Sequence, residues 1–214
     1  MEKGLELVEE MVHRKYVQNS VINFVECYYR KGYIRVFYND GTEKSFSMPI
    51  DVYNEQFRNV PISAERNWIF WGSWEKGICA YDLITGEVIW RIKGWKFTNI
   101  LVFDKYLVTA QQYKKLLRLN IENGEILDEV KSGTLGSVYK LDDRYFYADS
   151  MSGIGTIYDV ADMAVYKRYP KKTFPSDHPY GFSIRDLWLE DNHIFAEGFI
   201  KGPGMVIEVD SSFN

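Results

Sequence analysis

Any acid–base or metal chemistry in this chain of 214 residues must run through three histidines, two cysteines and 30 aspartates and glutamates. None of His13, His178 and His193 stands at a ligand spacing of the His-x-x-x-His kind, so no metal site is expected. Cys27 and Cys79 sit in apolar runs and read as buried thiols rather than a disulfide or a redox pair. Asp177 and His178 have the types of an acid–base pair, but they lie between Pro175 and Pro179, where a polar turn is the simpler reading. No Ser-His-Asp signature or nucleophile elbow is present. The glycines from Gly198 to Gly204 are followed by no helix signal, so they do not make a phosphate loop. No catalytic residue and no cofactor is expected.

Binding chemistry is better represented. Aromatic and cationic side chains dominate interface hot spots, and they cluster at Trp74, Lys76, Tyr113, Lys114, Lys115, Lys171, Lys172, His178, Tyr180, Phe199 and Lys201. Whether these eleven residues form one surface depends on the elements that carry them. Composition indicates which elements those are: 46% of residues are hydrophobic and 16% aromatic, with 16 Tyr and 13 Phe, residues that suit a half-buried pleated surface. A net charge of -4 argues against general affinity for nucleic acid. The N-terminal run MEKGLELVEEMVHRK is acidic where a secretory segment needs an apolar core, and no run of about 18 apolar residues occurs, so a cytoplasmic protein with no membrane partner is expected.

The chain repeats itself. Ala80 to Trp90 recurs as Arg118 to Asp128 and again as Ile157 to Lys167, with Asp82, Asn120 and Asp159 spaced by 38 and 39 residues. A fourth copy matches Glu208 to Asp159, 49 residues on, with the excess in a Pro-rich insertion over 169–183; a fifth is Val36 to Thr42. Each copy reads as two short strands followed by a hairpin, and Asn39-Asp40-Gly41, Thr85-Gly86 and Asn123-Gly124 supply the tight-turn residues. Four-stranded sheets with this period are expected to stack radially. The expected fold is all-β, a small β-propeller of about five four-stranded blades in a single domain over 21–214, preceded by a segment over 1–20. Its last blade stops after a third strand. Residues 3–18 supply the missing strand in one reading and a short helix over 2–13 in the other.

The segment Ala80 to Trp90, with a strand ending at Asp82, a Thr85-Gly86 turn and Trp90 on the outer strand, resembles the repeat of pyrroloquinoline-quinone-type and WD-like propellers. The resemblance covers the hairpins over about 60–209 and implies the fold, not the quinone cofactor.

In such an up-and-down arrangement the loops between second and third strands lie at one end of the sheets with the insertion, and they carry the basic, aromatic residues named above. The opposite end collects Asp40, Glu65, Asp82, Asp104, Glu122, Asp142, Asp143, Asp162, Glu190 and Asp191. The expected function is non-enzymatic protein binding, most concretely an inhibitor or immunity protein that occupies a toxin domain. The alternative is a carbohydrate-binding or glycoside-hydrolysing propeller, with Trp71, Trp74, Trp95 and Tyr113 as sugar platforms, or Asp149 paired with Glu197 or Asp186 as the catalytic carboxylates.

Overall fold

The computed structural model describes residues 13–28, 32–47, 61–73, 77–94, 97–111, 114–133, 138–150, 154–170, 173, 183–199 and 204–213. These fold into five antiparallel sheets, each with its strands side by side in chain order. The first holds β1 (His13–Tyr16), β2 (Ile22–Tyr28), β3 (Tyr33–Tyr38) and β4 (Glu43–Ser47). The second holds β5 (Ile62–Ser63), β6 (Trp68–Ser73), β7 (Gly77–Asp82) and β8 (Val88–Ile92), and the third β9 (Phe97–Val102), β10 (Tyr106–Gln111), β11 (Lys115–Asn120) and β12 (Ile126–Lys131). The fourth holds β13 (Val138–Lys140), β14 (Tyr145–Ala148), β15 (Gly155–Asp159) and β16 (Val165–Tyr169), and the fifth has three strands, β17 (Ser183–Glu190), β18 (His193–Phe199) and β19 (Met205–Asp210).

The repeated turn explains itself in hydrogen bonds. Asp82 accepts the N–H groups of Ile84 (2.7 Å) and Thr85 (2.9 Å), Asn120 that of Glu122 (2.9 Å), and Asp159 that of Ala161 (2.8 Å). A short polar side chain at a strand end thereby closes its own turn. The apolar residue that follows, Leu83, Ile121 or Val160, is buried, and its N–H bonds to the carbonyl of Asn67, Lys105 or Arg144, just before the second strand of the same sheet. Apolar, Asx, apolar is therefore a structural signature: the middle residue makes the turn and its successor ties two turns together. The acidic end is built the same way, since Asp40, Asp142 and Asp162 also accept turn N–H groups.

The chain divides into two compact units, Met1–Lys96 and Phe97–Asn214. In the first, Ile22, Val25, Ile34, Val36 and Tyr38 on one face of the first sheet are all buried. Polar side chains of the first sheet cap second-sheet turns: the Tyr38 hydroxyl donates to the Leu83 carbonyl (2.7 Å), Lys44 to that of Ile84 (3.0 Å), and Asn19 to that of Ala64 (2.8 Å). In the second unit Arg118 donates to the carbonyl of Val160 (2.8 Å), and the Tyr139 hydroxyl to that of Ile184 (2.8 Å). One core joins the third and fourth sheets around Leu101, Phe103, Val108, Phe146 and Tyr158; another joins the fourth and fifth around Tyr139, Tyr147, Ile157, Leu187 and Ile194.

Two sequence expectations shift. Ile194 pairs with Asp210, whose carboxylate accepts the Ser212 N–H, so Asp210 and not Glu208 takes the turn position, 51 residues after Asp159. The cause is a register shift between Ile194 and Phe195, which sequence spacing does not reveal. Within the N-terminal segment, His13–Tyr16 pairs with β2 in the first sheet and not with the three-stranded fifth sheet, so these four residues do not supply the strand expected there; the helix expected over 2–13 lies almost wholly outside the described residues.

Gly86 joins turn chemistry to sheet packing. Its φ is +80°, and an added Cβ would lie 2.2 Å from the Phe46 ring. Gly86→Ala should cost about 1–3 kcal/mol through left-handed strain and overpacking, read by urea denaturation; unchanged stability would show that the two sheets do not meet there.

Candidate binding face

Of the eleven residues singled out for binding, Trp74, Lys76, Tyr113, Lys171, Lys172, His178, Tyr180 and Lys201 lie outside the described residues. Phe199 ends β18. Lys114 is exposed in the turn before β11, and Lys115 opens that strand in an ion pair with Glu129, so only these two neighbours are placed together. Trp71 is 3% exposed and cannot serve as a sugar platform. Asp186 and Glu197 are cross-strand partners, but the Asp186 carboxylate accepts the Leu187 N–H and Glu197 faces Arg185 at 3.3 Å.

The structure instead draws attention to the first sheet. Alternation along its strands sends the small apolar residues to the core and a different set to the other face. Register orders that set into three rows across the sheet. Tyr16, Phe24, Phe37 and Glu43 form the first row, Arg14, Glu26, Arg35 and Ser45 the second, and Tyr28, Tyr33 and Ser47 the third. Phe24 and Phe37 stack at 4.2 Å and Tyr28 and Tyr33 at 4.4 Å, with Tyr16 tilted against Phe24 at 5.6 Å. Arg14 lies over Phe24 at 4.7 Å; Arg35 lies 5.8 Å from the Tyr28 ring and 5.9 Å from Phe37.

Electrostatics hold the middle row in place. Glu26 is 6% exposed, accepting the Arg14 guanidinium (Nε to Oε1, 3.0 Å) on one oxygen and the Tyr28 hydroxyl (2.8 Å) on the other. Burial alone would raise its carboxyl, but the bonds from Arg14 and Tyr28, with the charges of Arg14 and Arg35, hold it below the ordinary value. Burial and the bond to Glu26 together raise the Tyr28 hydroxyl. The Arg35 Nε is shut away from water among these rings without a hydrogen-bond partner. Tyr16 remains 64% exposed, and Phe24, Tyr28, Tyr33, Arg35 and Phe37 are half-buried.

Register identifies the counterpart of this face. In the fourth sheet Phe146 and Tyr158 are cross-strand partners stacked at 5.4 Å, as Phe24 and Phe37 are in the first. There the pair is fully covered: Phe103 of the third sheet meets Phe146 edge-on at 6.4 Å. Phe24 and Phe37 are instead only half-buried. A signal for this face exists in the sequence, where Phe24, Glu26, Tyr28 and Tyr33, Arg35, Phe37 alternate with small apolar residues, whereas the second, third and fourth copies carry apolar residues at both parities.

No family model matches the sequence, and no curated protein matches it. The fold is similar to solved structures. BamB from Moraxella catarrhalis superposes with a TM-score of 0.66 at 14% identity over 94% of this chain and 65% of its own. The computationally designed Ika8 protein gives 0.62 at 16% identity, over 92% and 58%, and the designed Ika4 protein 0.52 at 16%, over 70% and 88%. The chain thus spans less than two thirds of the first two. Identities this low carry the fold alone. BamB is a β-propeller with repeats of the quinone-protein type, so this all-β chain is propeller-like.

A group whose folded pKa is depressed stabilises above its unfolded value, about pH 4.3 for Glu, and that stability is lost as pH falls through the folded value. Glu26→Gln should therefore cost about 1 kcal/mol at neutral pH, kept small because the Arg14 end is half exposed to water. The gap to the parent should narrow below about pH 4. Urea denaturation at several pH values reads it, and a gap independent of pH would contradict the account.

Proposed function

We propose that this chain is a protein-binding propeller whose five sheets are its blades and whose docking surface is the uncovered face of the first. The stacked Phe24–Phe37 pair supports this reading: it has the construction of an inter-sheet contact and is left half-exposed. Burying such rings against a partner releases water from apolar area that elsewhere in the fold is already covered. Aromatic rings interleaved with Arg14 and Arg35 are the residue types of interface hot spots, and two rigid stacks lose little side-chain entropy on docking.

The concrete form of this function is an inhibitor or immunity protein that acts in the cytoplasm by occupying a toxic enzyme. A rigid face preorganised by the Arg14–Glu26–Tyr28 bonds suits tight occupation, because little has to be ordered on binding. Purification of the tagged full chain from its source cells should retain a stoichiometric protein, and Tyr16→Ala combined with Phe37→Ser should weaken that complex at least tenfold, about 1.4 kcal/mol. Equal retention by parent and variant would contradict the proposal.

A further inference from the structure

The fifth sheet also has one covered and one uncovered face. Leu187, Ile194 and Ala196 pack into the core shared with the fourth sheet. Alternation sends Asp186, Trp188 and Glu190 of β17, His193, Phe195 and Glu197 of β18, and Val206 and Glu208 of β19 to the other side. None of these eight is fully buried, and Val206 is 58% exposed. Trp188 stacks on Phe195 at 5.7 Å and His193 on Phe195 at 6.1 Å, while His193 Nδ1 bonds Glu208 at 2.8 Å. An aromatic stack is thus ringed by four carboxylates, with Arg185 beside Glu197 at 3.3 Å.

From this we infer that the uncovered fifth-sheet face of one copy of this chain docks head to tail on the uncovered first-sheet face of a second copy. One observation selects that occupant. Inside the second unit every inter-sheet contact joins unlike faces: the fourth sheet meets the third with its Phe146 and Tyr158 side and the fifth with its Tyr147 and Ile157 side. By register, the exposed Phe24–Phe37 side of the first sheet is of the former kind, and the exposed Phe195 side of the fifth, one residue out of phase with buried Ile194 and Ala196, is of the latter. The contact is heterologous, so it can propagate beyond a dimer. This inference rests on the first-sheet face being a docking surface, and it makes self-association and partner binding compete for that face.

Light scattering on the purified chain should give a mass above the monomer that rises with concentration. Tyr16→Glu blocks the first-sheet face and Val206→Lys the fifth-sheet face; both positions are well exposed, and circular dichroism verifies folding. Each variant alone should be monomeric, and an equimolar mixture should give a heterodimer that grows no further, because one copy keeps each face. If Tyr16→Glu does not fold, Ser45→Glu on the same face replaces it. A parent chain that is monomeric throughout, or a mixture that stays monomeric, overturns the inference. In that event loss of a captured partner by the Tyr16→Ala and Phe37→Ser variant would still uphold the first-sheet face as a docking surface, whereas retention would remove both.

Discussion

An antiparallel sheet satisfies its own backbone but can cover neither of its faces, and the structure depends on how those faces find cover. Each repeat supplies two unlike sides, and sheets that follow one another within a unit meet through them. The middle sheet of the second unit is covered on both sides and is apolar on both, with Phe146 and Tyr158 turned one way and Tyr147 and Ile157 the other. The first and fifth sheets have one covered side each, and their second sides carry a different chemistry of arginine or carboxylate woven among aromatic rings. Face chemistry therefore reports which sides the fold uses for itself and which it offers outward.

Polar groups make the contacts specific rather than merely apolar. Tyr38, Lys44 and Arg118 each reach from one sheet to turn carbonyls of the next, and Tyr139 reaches the Ile184 carbonyl near the start of β17. A capped carbonyl at the sheet boundary fixes how far one sheet slides over another. The Asx turns do the same within a sheet. Four of the side chains at the acidic end of the sheets, Asp40, Asp82, Asp142 and Asp162, are held by backbone N–H groups, so turn geometry accounts for their presence.

Repeat spacing and turn chemistry were legible in the sequence because a tight hairpin admits few residues. Asp82, Asn120 and Asp159 mark their turns at 38 and 39 residues, and the hairpin from Tyr106 to Val130 lies where the pattern puts it. Bulges were not legible: the slip beside Ile194 moves the fourth copy from Glu208 to Asp210, because a bulge adds a residue without changing the hydrophobic pattern. The binding set failed for a different reason. Clustering of lysine and aromatic residues pointed to loops, of which the structure places Lys114 and Lys115, while the uncovered aromatic rows lie on strands and become visible only when register shows what does and does not cover them.

The account turns on the first-sheet face being open in the isolated chain. Hydroxyl-radical footprinting of a dilute, monomeric sample tests this directly, because it compares equivalent aromatic pairs within one molecule. The prediction is ready oxidation of Tyr16, Phe24 and Phe37 beside protected Phe146 and Tyr158. Protection of Phe24 and Phe37 to the level of Phe146 and Tyr158 would mean that the face is already covered, and the proposed docking surface would not exist.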